Sequence, residues 1–348
     1  MPTLESDELI FRFPKLEPEA GCSITFKRTL RIPDTENIYD LPPGLGSFAL
    51  RHAEDYPEGL GDKTLQRGGV IMPIWQSEAM WMNFNTFYYP DEAEASRGWD
   101  RPSFPVAIKI AAGKINAVTG ESWQPGLNQT PQDYMVAPDQ PWLDGFAIEK
   151  GIIRQFVAMP LGEGYTAEEQ LSGETEWGGV QIAVTPLKAE AWERLKAERQ
   201  SVMNVSASFS LSKMCESSMG LGAGGQMRQH IYPDPYNADD WDIDATDRVF
   251  VTLCHARDWK KITGEAPGTF PPSAKDYSKA GMPWFAYYGA DQEALAGSKS
   301  LRWLKSVGAL HKETTGVVLP DSQDVVVPAP KHLGDHHSPR IVRSGSDF

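Results

Sequence analysis

The feature that most limits the fold is a period of two. In SITFKRTLRI, residues 23–32, Ile24, Phe26, Leu30 and Ile32 fall on one parity and Thr25, Lys27, Thr29 and Arg31 on the other. Successive side chains of a strand point to opposite faces, so the pattern specifies a half-buried strand and not a helix. VAIKI repeats it through Val106, Ile108 and Ile110, and GVQIAVTP through Val180, Ile182 and Val184. The apolar runs GVIMPIW, AMWMNF, GIIRQFVAM and RVFVTL read as further buried strands, separated by Gly- and Pro-rich turns.

Helical signals are fewer. PLKAEAWERLKAERQ is the clearest, with Pro186 expected in its first turn and Leu187, Ala191 and Leu195 on one face. Thr166 and Glu169 have capping-box spacing in YTAEEQL, PPSAKDYSKAG reads as a short helix, and SKSLRWLKSVGAL reads as one helix with Leu301, Leu304 and Val307 inward. Strands do not alternate regularly with helices, which argues against a doubly wound parallel sheet. The expected fold is β-rich α+β: mostly antiparallel, sandwich-like sheets with a few peripheral helices. The expected division is an N-terminal arm (1–21), a β-rich domain ending in a helix (22–200), a second β/α part packed on it (201–316) and an extended C-terminal arm (317–348).

Charge restricts the partners. The net charge is −14 and there is no long basic run. Nucleic acid and anionic membrane surfaces are therefore not expected as partners, because both need a basic footprint. MPTLESDELIFRFPK is acidic where a signal peptide would be basic, and no apolar run has the length of a membrane span. Cys22, Cys215 and Cys254 are widely spaced with no C-x-x-C pair, so a reducing, cytoplasmic setting is expected, and the sequons at Asn128 and Asn204 carry no weight there. Eleven Trp residues either pack between sheets or form exposed platforms for sugars or partners, and packing is the commoner use.

The stretch MGLGAGGQMRQHIYPDPY contains a literal G-x-G-x-x-G at Gly220, Gly222 and Gly225. A dinucleotide fingerprint needs a strand immediately before it and a helix opening at its end. Here LSKMCESSM intervenes before the motif, and Pro233 and Pro235 close off any helix after it. The expectation is a flexible turn at which the backbone needs positive φ or close approach, with no bound nucleotide. Just after it, Arg228, His230, Tyr232 and Asp234 would share one face if extended, a candidate ligand-binding set for an anionic or hydroxylated ligand. Asp240, Asp242 and Asp244 would likewise share a face and form a candidate Ca²⁺ or Mg²⁺ site, although a solvated acidic turn is the simpler expectation.

Other motifs lack their context. Ser210-x-x-Lys213 has no accompanying S-D-N, no G-x-S-x-G or H-E-x-x-H occurs, and GDHHSP argues for a turn over a His332/His336 metal pair. AIKIAAGKINAVTGE, QDYMVAPDQPWLDGF, IRQFVAMPLGEGYTAEEQLSGE and the glycine stretch together resemble a family of uncharacterised soluble proteins found in bacteria and fungi, over about residues 22–310. The resemblance implies a shared fold and carries no activity, cofactor or site residue. The expected function is non-catalytic, a binding or self-assembly protein forming a homo-oligomer through its C-terminal arm and needing no cofactor. The alternative is a hydrolase or isomerase for a small polar or sugar-like substrate, with a site near residues 228–244.

Overall fold

The structure, a computed structural model, describes residues 1–88, 103–199, 219–286 and 293–332. Strand outweighs helix, 36% against 20%, as the period-two runs require. Eleven strands carry the architecture: β1 (Thr3–Glu5), β2 (Glu8–Arg12), β3 (Gly21–Thr29), β4 (Val70–Ile74), β5 (Ala79–Phe87), β6 (Val106–Ala112), β7 (Gly145–Glu149), β8 (Ile152–Pro160), β9 (Val180–Pro186), β10 (Met219–Arg228) and β11 (Asp247–His255). The helices among the described residues are α1 (Asp62–Arg67), α2 (Ala167–Ser172), α3 (Ala189–Arg199), α4 (Trp259–Thr263), α5 (Ala274–Lys279), α6 (Lys299–Arg302) and α7 (Val307–Thr315). None is long and apolar enough to cross a membrane.

The strands form two groups. In the first, β2, β3, β5, β8 and β10 pair antiparallel in that order, with Ile24 opposite Phe84 and Val157 opposite Gly222. In the second, β6 pairs with β9 and β9 with β11, both antiparallel, while β4 runs parallel to β11. The pair Met219–Leu253 joins the groups. One hydrophobic core draws Ile24, Phe26, Met82 and Phe156 from the first group and Ile108, Ile182, Val251 and Leu253 from the second. This is a sandwich-like α+β arrangement, and the sheet does not close.

Several expected boundaries do not hold. Residues 1–21 are no arm: β1 and β2 form a hairpin paired to β3, and Leu9, Phe11 and Phe13 sit in the core. No division falls at residue 200, because β10 and β11 complete the sheets begun by earlier strands and share their core. Strand β3 is also less half-buried than its pattern implies. Thr25 and Thr29 on its polar parity are buried too, since both faces are covered.

The helices follow local rules. Thr166 and Glu169 form the expected capping box at the start of α2. Pro186 ends β9 and does not open α3. The stretch 298–310 forms two helices, because Ser306 caps a new N-terminus by accepting from the Ala309 N–H. Leu301, Leu304 and Val307 are buried as expected.

The glycine motif lies inside β10, where the expected turn does not form. Gly220, Gly222 and Gly225 are not among the positive-φ residues. Close approach is the part of the expectation that holds. A Cβ on Gly220 would lie 2.8 Å from Thr166 Cγ2, one on Gly222 2.7 Å from the Tyr165 carbonyl oxygen, and one on Gly225 on the Pro33 carbonyl oxygen. The glycines let chain segments cross the sheet against its backbone.

From 317 to 332 the C-terminal segment packs on its own chain. Asn37 and Tyr39 donate to the Asp324 carboxylate at 2.6 and 3.0 Å. Val325 and Val327 pack on the cluster of Leu30, Tyr39 and Trp284, and Lys331–His332 pairs parallel to Phe285–Ala286. The apolar run Asp324–Pro328 of the expected C-terminal arm therefore packs in cis. The rest of the expected arm, 333–348, lies outside the described residues, as do Asn204, Ser210, Lys213, Cys215, His336 and His337.

Candidate functional site

The expected set at 228–234 begins at the end of β10 and runs past it. Strand pairing stops at Arg228, which is 60% exposed and stands 3.5 Å from Asp40. His230 packs over Gly151, and Tyr232 lies edge-on to His230 with ring centroids 6.4 Å apart. Asp234 acts as a structural hub. Its carboxylate accepts from Gln129 Nε2 (3.0 Å), Trp241 Nε1 (2.9 Å), the Tyr236 N–H (2.8 Å) and the Tyr134 hydroxyl. Burial, followed by the Asp234 carboxylate, pushes the Tyr134 pKa up. Asp234 thus has its acceptor capacity filled by protein donors.

The acidic run does not converge either. Asp240 binds Arg194 at 2.7 Å and accepts from Asn237. Partial burial raises its carboxyl, and those hydrogen bonds outweigh it, leaving the pKa lowered. Asp242 caps the short turn at Ile243–Ala245 by accepting from the Ala245 N–H, and Asp244 is exposed. Among the described residues no three His, Cys, Asp or Glu side chains are grouped to hold a metal. The expected Asp240–Asp242–Asp244 site is therefore not assembled; each carboxylate serves its own local turn.

A different site is assembled on the outer face of β6, β9 and β11. Register places Lys109, Ala183 and Arg248 in one row across these strands, and Ala111, Gln181 and Phe250 in a second row of the same parity. Small Ala183 separates the two cations of the first row, and both stack on the Trp123 ring at 5.3 Å from its centroid. Lys109 is buried and fixed, donating to the carbonyls of Gln124 and Gly126 at 2.8 Å each and to Asp133 at 2.5 Å. Arg248 is exposed.

The second row continues the pattern. Arg67, in the last turn of α1, lies 5.3 Å from the Phe250 ring centroid and 4.7 Å from that of Trp177, and Lys114 lies 3.9 Å from Trp177. Arg67 is anchored to the carbonyls of Trp177 and Glu176 at 2.8 and 2.7 Å, and burial pulls its pKa down. The loop carrying Trp177 is held in turn by the Glu168 carboxylate, which accepts from the Gly178 N–H at 2.8 Å. Four cations and three aromatic rings thus form a ladder, each stack of a kind that contributes about 0.5–2 kcal/mol.

The ladder borders a cleft of about 590 Å³. Its lining includes Leu4, His52, Arg67, Trp177, Gln181, Arg248, Val249 and Phe250, with Glu54 as its carboxylate. None of Arg228, His230, Tyr232 or Asp234 lines it. Sequence reasoning missed these residues because they come from six separate segments. The only signal was the heavy Trp load, read first as packing. Packing does hold for Trp192, Trp241, Trp259 and Trp284, all fully buried.

No family model matches the chain, and no curated protein or solved structure matches it. The functional reading therefore rests on the geometry.

Proposed function

We propose that the protein is a non-catalytic binding module whose ligand, a small organic anion, occupies the cleft beside the cation–aromatic ladder. One observation carries this reading. On a chain of net charge −14, the three basic side chains that line the cleft, His52, Arg67 and Arg248, have no carboxylate within ion-pair distance among the described residues, while the Met1 ammonium beside them is paired with Asp247. Cations in a concave site focus potential and concentrate anions there. The hydrolase or isomerase reading drew on residues 228–244, where Asp234 is committed to protein donors and the cleft is elsewhere. Nucleic acid stays outside the proposal, since four cations on one face are a small footprint against the overall charge. We place the protein in the cytoplasm from its cysteine usage. Self-association through the C-terminal arm stays part of the proposal: 317–332 pack in cis and leave Val317, Val318 and Val326 exposed.

The test is thermal melting with a panel of small organic anions and cations. Anions should raise the melting temperature: a ligand at about 100 times its Kd adds about 2.7 kcal/mol to stability. Cations should not raise it, and the anion effect should vanish in Arg248→Glu. Equal shifts from both classes, or an anion shift unchanged in Arg248→Glu, would refute the proposal.

A further inference from the structure

We infer that the ligand is a carboxylate on a flat apolar body, with the Arg248 fork on the carboxylate and the body against Phe250; this deepens the cleft reading above and rests on it. The two arginines of the cleft differ in what they have left to give. Arg67 bonds two main-chain carbonyls and is stacked by Trp177 and Phe250, so it builds the wall. Arg248 has no hydrogen bond or ion pair among the described residues, and its guanidinium lies on the Trp123 ring. The ring beside it offers no acceptor in the guanidinium plane, so its N–H donors are open. An open guanidinium edge presents two parallel N–H donors, the arrangement that a carboxylate accepts bidentately.

The rest of the cleft selects the body. Phe250 is half-buried and lies on the same face of β11 as Arg248, two residues away, so it offers an apolar ring beside the guanidinium. Trp177 already has Lys114 and Arg67 against its ring and is not a bare platform for a sugar. Elsewhere the acidic chain repels an anion, which favours this one location.

Isothermal titration of the full chain at low salt tests the assignment with three probes: 2-naphthoate, its neutral analogue 2-naphthalenemethanol, and cyclohexanecarboxylate. Naphthoate should bind one site. The neutral analogue should bind at least about tenfold more weakly, the usual worth of a hydrogen-bonded charge. Cyclohexanecarboxylate should fall between them. Arg248→Lys should lose about tenfold for naphthoate, since an ammonium cannot pair bidentately. Arg257→Gln, an exposed arginine outside the cleft lining, should leave affinity unchanged. Equal binding of naphthoate and its neutral analogue, or no loss in Arg248→Lys, overturns the carboxylate assignment. If binding is still lost in Phe250→Ala, the cleft stands as the binding site: no loss in Arg248→Lys then leaves its preference for anions intact, whereas equal binding of the neutral analogue removes that preference too. Failure of every probe to bind at millimolar concentration overturns both.

Discussion

Gly225→Val should not yield a folded protein. A side chain at 225 would meet the carbonyl oxygen of Pro33, a main-chain atom that cannot rotate away, with Ile32 Cγ1 2.9 Å from the Cβ position. To admit it, β10 must leave the sheet where it pairs with β8, and two strand pairings open together. Substitutions that force backbone apart in this way belong to the tail beyond about 4 kcal/mol. Gly224→Val is milder, because its nearest neighbour is Cγ2 of the Val157 side chain at 2.7 Å, and Gly44→Ala, with nothing within 4 Å, should be silent. Soluble yield and circular dichroism melting of the three variants check the order. A folded Gly225→Val protein would contradict the crossing account of the motif.

Asp144→Asn should remove a large pH dependence of stability. Asp144 is fully buried, its Oδ2 has no partner, and Gln229 engages its main-chain N–H and not its carboxyl. Burial pushes its carboxyl pKa up to about 7, against the pull of a hydrogen bond from Trp142. The unfolded chain loses this proton near pH 4, whereas the folded chain keeps it to about pH 7. The folded state therefore holds more protons across that window, and stability falls as pH rises through it. With about 1.4 kcal/mol per pKa unit, the loss approaches 4 kcal/mol by pH 8. Burial likewise pushes Glu78 up to about 7, so some slope persists in the variant. Urea unfolding from pH 4 to pH 8 should show wild type and Asp144→Asn diverging as pH rises, with the variant more stable above pH 7. A difference that does not change with pH would contradict this account.

The period-two runs gave the architecture because burial on one face is written into alternate residues. Thr166 and Glu169 gave the α2 cap for the same local reason. What escaped was set by partners distant in sequence. Lys109 looked like a solvent-facing strand residue, yet the loop from Trp123 to Asp133 folds over it and supplies its acceptors. Leu9, Phe11 and Phe13 do alternate in the sequence, and charge at the N-terminus masked that signal. Gly220 to Gly225 could be excluded as a phosphate loop, but which segments cross them is tertiary information. Arg67, Trp177 and Phe250 meet only through strand register and a helix end, so no local motif announces the ladder.

The central claim is that the ladder's cleft is the binding site, and fluorine NMR of protein labelled with 5-fluorotryptophan tests it most directly. Trp177 lines the cleft and Trp123 stacks on Arg248, while Trp303, 80% exposed, lies outside the cleft lining. The signals can be assigned by Trp→Phe substitution at each position and followed during titration with 2-naphthoate. The Trp177 and Trp123 resonances should move saturably with one Kd while Trp303 stays fixed. Saturable binding that leaves both ladder signals unmoved would place the ligand elsewhere and contradict the claim.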